Sequence, residues 1–177
     1  MTAGTSSGRH QSAVLIPVPD AESVVSQVRL EHDPVAAQGV PAHITLVVPW
    51  LPPNEIAERD LEELSTLLES VEAFEFELAA VAWFGRGVLW LAPEPAEPFL
   101  KLTDRLVERF GTPPYDDEFD EVVPHLTVAH ASDGVELGPI AARLTAQLPV
   151  HCRASEVWVM EGDGRTWSVL GRIALKS

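Results

Sequence analysis

The chain has 177 residues, 46% of them hydrophobic, which is long enough to bury a sizeable core in one compact domain or in two small lobes sharing a core. Its 27 acidic residues against 12 basic ones give a formal net charge of −15. Such a field repels polyanions, so extended nucleic-acid binding through many Lys and Arg phosphate contacts is not expected, while a small anion in a local pocket is. No apolar run approaches the roughly 18 residues that cross a bilayer, and no signal-type apolar segment opens the chain, so a cytoplasmic protein without membrane contact, and a monomer, is expected.

Residues 1–12 are small and polar and read as a disordered leader, His10 included. Ala13 to Val18 is a β-branched apolar run that predicts a buried strand. Asp20 can cap a helix over Ala21 to Glu31 with Val24, Val25, Val28 and Leu30 on one face. After a loop marked by Asp33-Pro34 and Gln38-Gly39, a second strand runs from Ala42 to Val48 and closes at Pro49. Pro52-Pro53-Asn54 opens an amphipathic helix carrying Ile56, Leu61, Leu64, Leu67 and Leu68, and Phe74 to Phe84 forms a strand ending at Gly85-Arg86-Gly87.

The order then repeats. Val88 to Leu91 is a strand, Glu97 to Phe110 a helix, and Gly111 to Asp120 a loop rich in Pro and Asp. Val122 to Val128 is a strand, Leu137 to Leu148 a helix, and Ser155 to Met160 a strand. A turn at Gly162-Asp163-Gly164-Arg165 leads to a last strand over 167–175. Residues 13–84 and 88–160 thus form two pseudo-repeats within one domain over 13–177, an arrangement too long for a solenoid unit.

Each repeat holds a His-x-Thr triplet in an apolar strand: His43 with Thr45, and His125 with Thr127, 82 positions later. Random placement of six His and nine Thr gives only about 0.3 such triplets. Alternation puts each imidazole beside its hydroxyl on one face, while Ile44, Leu46, Leu126 and Val128 point to the core. If a pseudo-twofold axis relates the halves, the two pairs face each other across one cleft. Two imidazoles near neutrality suit phosphodiester cleavage, one taking a proton from the attacking oxygen and the other giving one to the leaving oxygen. The hydroxyls can bind non-bridging phosphate oxygens.

Neither a metal nor a cofactor is called for: there is no His-Glu-x-x-His pattern and no Gly-rich loop with Lys, and Asp116, Asp117, Glu118 and Asp120 read as a solvated charge run. Cys152, the single cysteine, reads as a buried strand residue. His32 and His151 lie at element boundaries. His130, five residues past His125, falls on the opposite face of a regular strand and reads as the strand's end.

Pro41-Ala42-His43-Ile44-Thr45-Leu46 and Val123-Pro124-His125-Leu126-Thr127-Val128-Ala129, with Pro114-Tyr115 and Phe119 ahead of the second, resemble the motifs of the 2H phosphoesterase superfamily, which includes 2'-5' RNA ligase-like proteins and cyclic nucleotide phosphodiesterases. The resemblance spans nearly all the chain after residue 12. It implies a bilobal α+β fold of duplicated strand-helix-strand units whose antiparallel sheets line a central cleft. It implies hydrolysis or reversible transfer at 2',3'-cyclic or related phosphates of a small nucleotide or an RNA end, with His43 as acid and His125 as base, interchangeable by symmetry. Arg86 and Arg165, in comparable Gly-flanked turns, are further candidates for phosphate contact, and Trp50, Trp83, Phe84, Trp90 and Tyr115 for stacking on a base. Reversible 2'-5' end joining and a non-catalytic binding module are the alternatives. The acidic charge opposes the first, and the intact His and Thr at both motifs oppose the second.

Overall fold

The computed structural model describes residues 9–117 and 121–177. Most of the leader, together with Glu118, Phe119 and Asp120, lies outside the described residues. Among the described residues five α-helices and eight strands follow in the order β1 (Gln11–Pro17), α1 (Glu22–His32), α2 (Pro34–Ala37), β2 (His43–Val47), α3 (Glu58–Leu68), β3 (Phe74–Phe84), β4 (Val88–Glu94), α4 (Glu97–Phe110), β5 (Leu126–His130), α5 (Leu137–Thr145), β6 (Val150–Ala154), β7 (Glu156–Gly162) and β8 (Trp167–Ala174). They build two four-stranded antiparallel sheets, ordered β2-β1-β7-β8 and β5-β4-β3-β6.

Chain connections explain this order. β3 and β4 are joined only by Gly85 to Gly87, with Gly85 at φ +56°, and so short a turn permits antiparallel neighbours alone. β3 therefore joins the second sheet, although the repeat places it in the first unit. β7 correspondingly pairs with β1. Each sheet thus draws one inner strand from beyond the sequence unit that supplies its His-x-Thr strand. Helices α1 and α4 cross over as well: α1 packs against β5, and α4 packs against β2. One continuous core runs through both sheets, including Ile44, Leu64, Phe76, Leu91, Phe99 and Leu126. Phe99 meets Phe74 and Phe76 edge-to-face at centroid distances of 5.2 and 5.0 Å.

Local differences from the sequence expectation have local causes. The first strand begins at Gln11, because Ser12 is buried and its hydroxyl donates to the Leu51 carbonyl at 2.6 Å. Pro53 starts a single 3-10 turn, and α3 begins only at Glu58, where the Asp60 carboxylate accepts the Ala57 N–H at 2.7 Å. α4 ends as its pattern predicts, at Gly111 in the left-handed region with its N–H donating to the Val107 carbonyl. α5 stops at Thr145, and Val150–Ala154 forms an edge strand around Cys152, the one residue of it that the sequence reading places on a strand. Its outward His151 and Arg153 pair with Glu77 and Glu75 on β3, which gives it the polar appearance of a loop. Cys152 is buried there, and burial pushes its thiol up to about 12, far from thiolate chemistry.

Candidate active site

The edge strands β2 and β5, one from each sheet, lie against one another, and the candidate cleft opens between them. His43 and Thr45 are half-buried on β2, and Thr127 is half-buried on β5, while the intervening Ile44 and Leu126 are fully buried. The cleft has a volume of about 190 Å³, and His43, Thr45, Thr127 and His130 are in its wall. His125 precedes β5, because Pro124 has no N–H to offer a ladder and strand pairing begins only at Leu126.

Both imidazoles are oriented by the same local device. Nδ1 of His43 lies 2.8 Å from the Pro41 carbonyl, and Nδ1 of His125 lies 2.7 Å from the Val123 carbonyl. A carbonyl only accepts, so each Nδ1 carries the proton and each Nε2 is left as the acceptor in the neutral ring. Burial pulls the His43 pKa down to about 3, assisted by the positive charge of Arg29, while the Pro41 carbonyl opposes the fall. Burial likewise lowers the pKa of His125, against the Val123 carbonyl and with the help of His130. Burial therefore favours the neutral form of both imidazoles. The His125 ring adds a smaller push in the same direction on His43.

Beyond the histidines the two sides diverge. His125 packs edge-on against Phe84 at 4.8 Å and Trp90 at 5.8 Å, and those two rings stack on each other at 4.7 Å. This aromatic pair, not open space, borders His125, and His125 is not part of the cavity wall itself. On the β2 side the wall continues through Leu15, Pro34, Val35, Val40 and Trp167.

His130 corrects the sequence expectation. Both motif strands carry a β-bulge: Leu15 pairs with Thr45 but Val14 with Val47, and Trp90 pairs with Thr127 but Leu89 with Ala129. Leu46 and Val128 are the extra residues, and a bulge resets the alternation of faces. Val48 and His130, each five residues past its histidine, consequently face the cleft. His130 Nε2 lies 3.8 Å from Oδ1 of Asp33, a buried carboxylate whose Oδ2 accepts from Arg29 Nε and Nη2 at 3.1 and 3.0 Å. Burial raises the Asp33 pKa while the Arg29 guanidinium pulls it down. Asp33 also accepts the Val35 N–H at the start of α2, so one side chain ties α1, α2 and β5 together. Asp33 reads in sequence as loop punctuation, and the crossing of α1 onto β5 buries it together with Arg29.

The other candidates are dispersed. Arg86 lines a separate hollow with Trp83, Ala131, Val135, Leu137 and Gly138. Arg165 is exposed in the β7–β8 turn, where Asp163 accepts its N–H, and is not among the cleft-lining residues. Tyr115 stands at φ +54° with its N–H donating to the Val48 carbonyl at 2.6 Å, which places it beside the cleft, and burial pushes its phenol up to about 12. Trp50 is core, edge-on to Phe110. Among the described residues no three His, Cys, Asp or Glu side chains converge as a metal site, and no helix is long and apolar enough to cross a membrane.

Two bulged His-x-Thr strands from different sheets, facing across one cleft, define an α+β protein of the 2H phosphoesterase class. The family model for the 2'-5' RNA ligase superfamily matches residues 16–166, and the chain belongs to that family. It is 29% identical over 133 residues to a Bacillus cytotoxicus protein whose name assigns it provisionally to the phosphoesterases, covering 74% of this chain and 75% of that one. The fold is shared with E. coli LigT in complex with 3'-AMP, at TM-score 0.61 and 22% identity over 95% of this chain and 99% of that one. It is also shared with TT0787 of Thermus thermophilus, at TM-score 0.61 and 20% identity over 94% and 98%. Family and fold mark the chain as a phosphoesterase-like or ligase-like enzyme.

Proposed function

We propose that the protein hydrolyses a 2',3'-cyclic or related cyclic phosphodiester of a small nucleotide or an RNA end by two-histidine acid–base catalysis. The observation that carries this reading is the matched tethering of Nδ1 in His43 and His125, which leaves each Nε2 without that tether, two positions before a threonine in the chain. One Nε2 takes a proton from water as its oxygen attacks phosphorus, and the other, protonated, gives its proton to the departing ribose oxygen. Thr45 and Thr127 donate to the non-bridging oxygens and hold phosphorus in line. The anionic substrate offsets the charge that burial otherwise keeps off the rings.

The resemblance gives His43 as acid and His125 as base. The permanent charge of Arg29 bears on His43, and favours His125 as the ring that takes a proton once the anionic substrate is bound. We therefore take His43 as base and His125 as acid. Crystal structures of E. coli LigT with 3'-AMP, NADP+ and ATP are consistent with a small-nucleotide ligand on this fold. Reversible 2'-5' joining of RNA ends is the second reading, favoured by the family's name and opposed by the net charge of −15.

The decisive assay is hydrolysis of nucleoside 2',3'-cyclic monophosphates in EDTA, with His43→Ala and His125→Ala beside the wild type. Turnover that survives chelation and vanishes in both variants supports the reading. Activity persisting in both variants would sink it.

A further inference from the structure

The cleft is polar along its seam and apolar on one flank only. On the β2-β1-β7-β8 sheet, Leu15, Val40 and Met160 form a small buried cluster with Val35, Trp158 and Trp167 packed against it. Leu15 sits directly across from Thr45 in the β1–β2 ladder. Its counterpart on the other sheet is Trp90, which stands across from Thr127 and is covered by Phe84. The second flank is thus filled by the protein's own rings, whereas the first remains open to a ligand.

Trp167 is fixed there from two directions. Its ring lies across Gly162, where an added Cβ would meet Cε2 at 2.5 Å, Cδ2 at 2.8 Å and Nε1 at 2.9 Å. Its backbone N–H donates to the Gln38 carbonyl at 2.8 Å, and Gly39, at φ +101°, lets the chain pass close to the Trp167 carbonyl. Gln38 also lines the cleft beside this apolar flank. A flat, preorganised ring, an aliphatic floor and a polar residue in the wall match a heteroaromatic base, which is apolar on its faces and hydrogen-bonding at its edge. The volume of about 190 Å³ lies below the roughly 300–1,000 Å³ of sites for drug-sized ligands, which suits one base and not a stacked run of them.

We propose that Trp167, seated on Gly162 and backed by Leu15 and Val40, is the platform for the base of a single nucleoside unit, and that the substrate enters with its base toward the β2-β1-β7-β8 sheet. The proposal rests on the phosphodiesterase reading for the position of the phosphate. It names specificity-determining residues: Trp167 selects substrates that carry a base, while the histidines and threonines act on the phosphate.

The test compares adenosine 2',3'-cyclic monophosphate with the 2',3'-cyclic phosphate of methyl riboside, which has no base. Trp167→Ala is expected to raise KM for the adenosine substrate roughly 5- to 150-fold, the span of one base–aromatic stack, with kcat little changed. The base-free substrate should show no comparable rise, and Trp167→Phe should restore most of the affinity. Gly162→Ala, which drives the ring off its seat while keeping the tryptophan, should reproduce the adenosine effect in part. Equal losses on both substrates, or no loss on either, would overturn the platform. If the wild type turns over neither substrate, the phosphodiesterase reading has failed separately. Equilibrium dialysis with adenosine 3'-monophosphate and ribose 3-phosphate then decides the platform: a wild-type preference for the adenosine ligand that Trp167→Ala abolishes supports it, and equal affinities refute it.

Discussion

The two cleft-facing strands share a backbone and differ in what surrounds them. β2 and β5, the latter with His125 immediately before it, have the same His-x-Thr spacing, the same bulge one residue after the threonine, and the same Nδ1 tether to a carbonyl two residues before the histidine. Yet Val48 stands where the other side has His130, and an open apolar flank stands where the other side has Phe84 and Trp90. Backbone symmetry supplies the matched imidazole pair that acid–base catalysis needs. The side-chain asymmetry gives the cleft a direction, so that a substrate has one preferred way to lie in it.

The largest effect should come from breaking the symmetric part. His43→Ala and His125→Ala are each expected to lower kcat/KM by about 10²–10⁴ on a nucleoside 2',3'-cyclic phosphate, read by steady-state assay. A substrate with a 4-nitrophenolate leaving group, which needs no proton, should recover much of the loss in His125→Ala and little in His43→Ala. The opposite pattern would exchange the two roles.

Next in size is the buried pair on which the asymmetry is built. Arg29→Ala leaves the Asp33 carboxylate buried without its partner and should cost about 3–5 kcal/mol, measured as a lower urea midpoint. Thr45→Val and Thr127→Val each remove a hydroxyl from the anion. A hydrogen bond to a charged group is worth about 1.5–3 kcal/mol, so each should lower kcat/KM by roughly 10- to 150-fold.

The charge asymmetry also has a pH signature. The His43 pKa is lowered to about 3 in the folded chain, so between pH 6.5 and 3 the unfolded chain binds a proton there that the folded chain refuses. Stability must then fall as pH drops through that window, and His43→Gln should remove this part of the slope in urea titrations at successive pH values. A variant with an unchanged slope would place the acid sensitivity elsewhere. The smallest effect belongs to Arg86→Ala: the side chain lines its own hollow, and kcat/KM should change by less than about twofold, the scale of an ordinary surface substitution.

Much of this is legible before any fold is known. Apolar alternation around His43 and Thr45 and the periodic leucines of α3 and α4 predict elements close to those observed, because each signal is local and repeats within a few residues. The features that escape a sequence reading are non-local. β6 looks polar because His151 and Arg153 answer Glu77 and Glu75 on a strand more than 70 positions earlier. His130 reads as facing away from the cleft because the bulge at Val128 depends on how β4 pairs with β5. Trp167 draws no attention, since nothing in the last strand says that it crosses Gly162 and meets the loop at Gln38.

The sequence by itself determined the pairing of two His-x-Thr triplets in apolar segments and, through the family resemblance they carry, pointed to the α+β class, because residue type and strand period fix which groups share a face. Only the tertiary structure decided which side chains join them. The crossing of α1 onto β5 buries Arg29 and Asp33 behind His130. The hairpin at Gly85 to Gly87 sends β3 to the second sheet and brings Phe84 over His125. Those neighbours meet through strand pairing and helix packing between segments far apart in the chain, where the free energy of burial and register, and not local propensity, selects the partner.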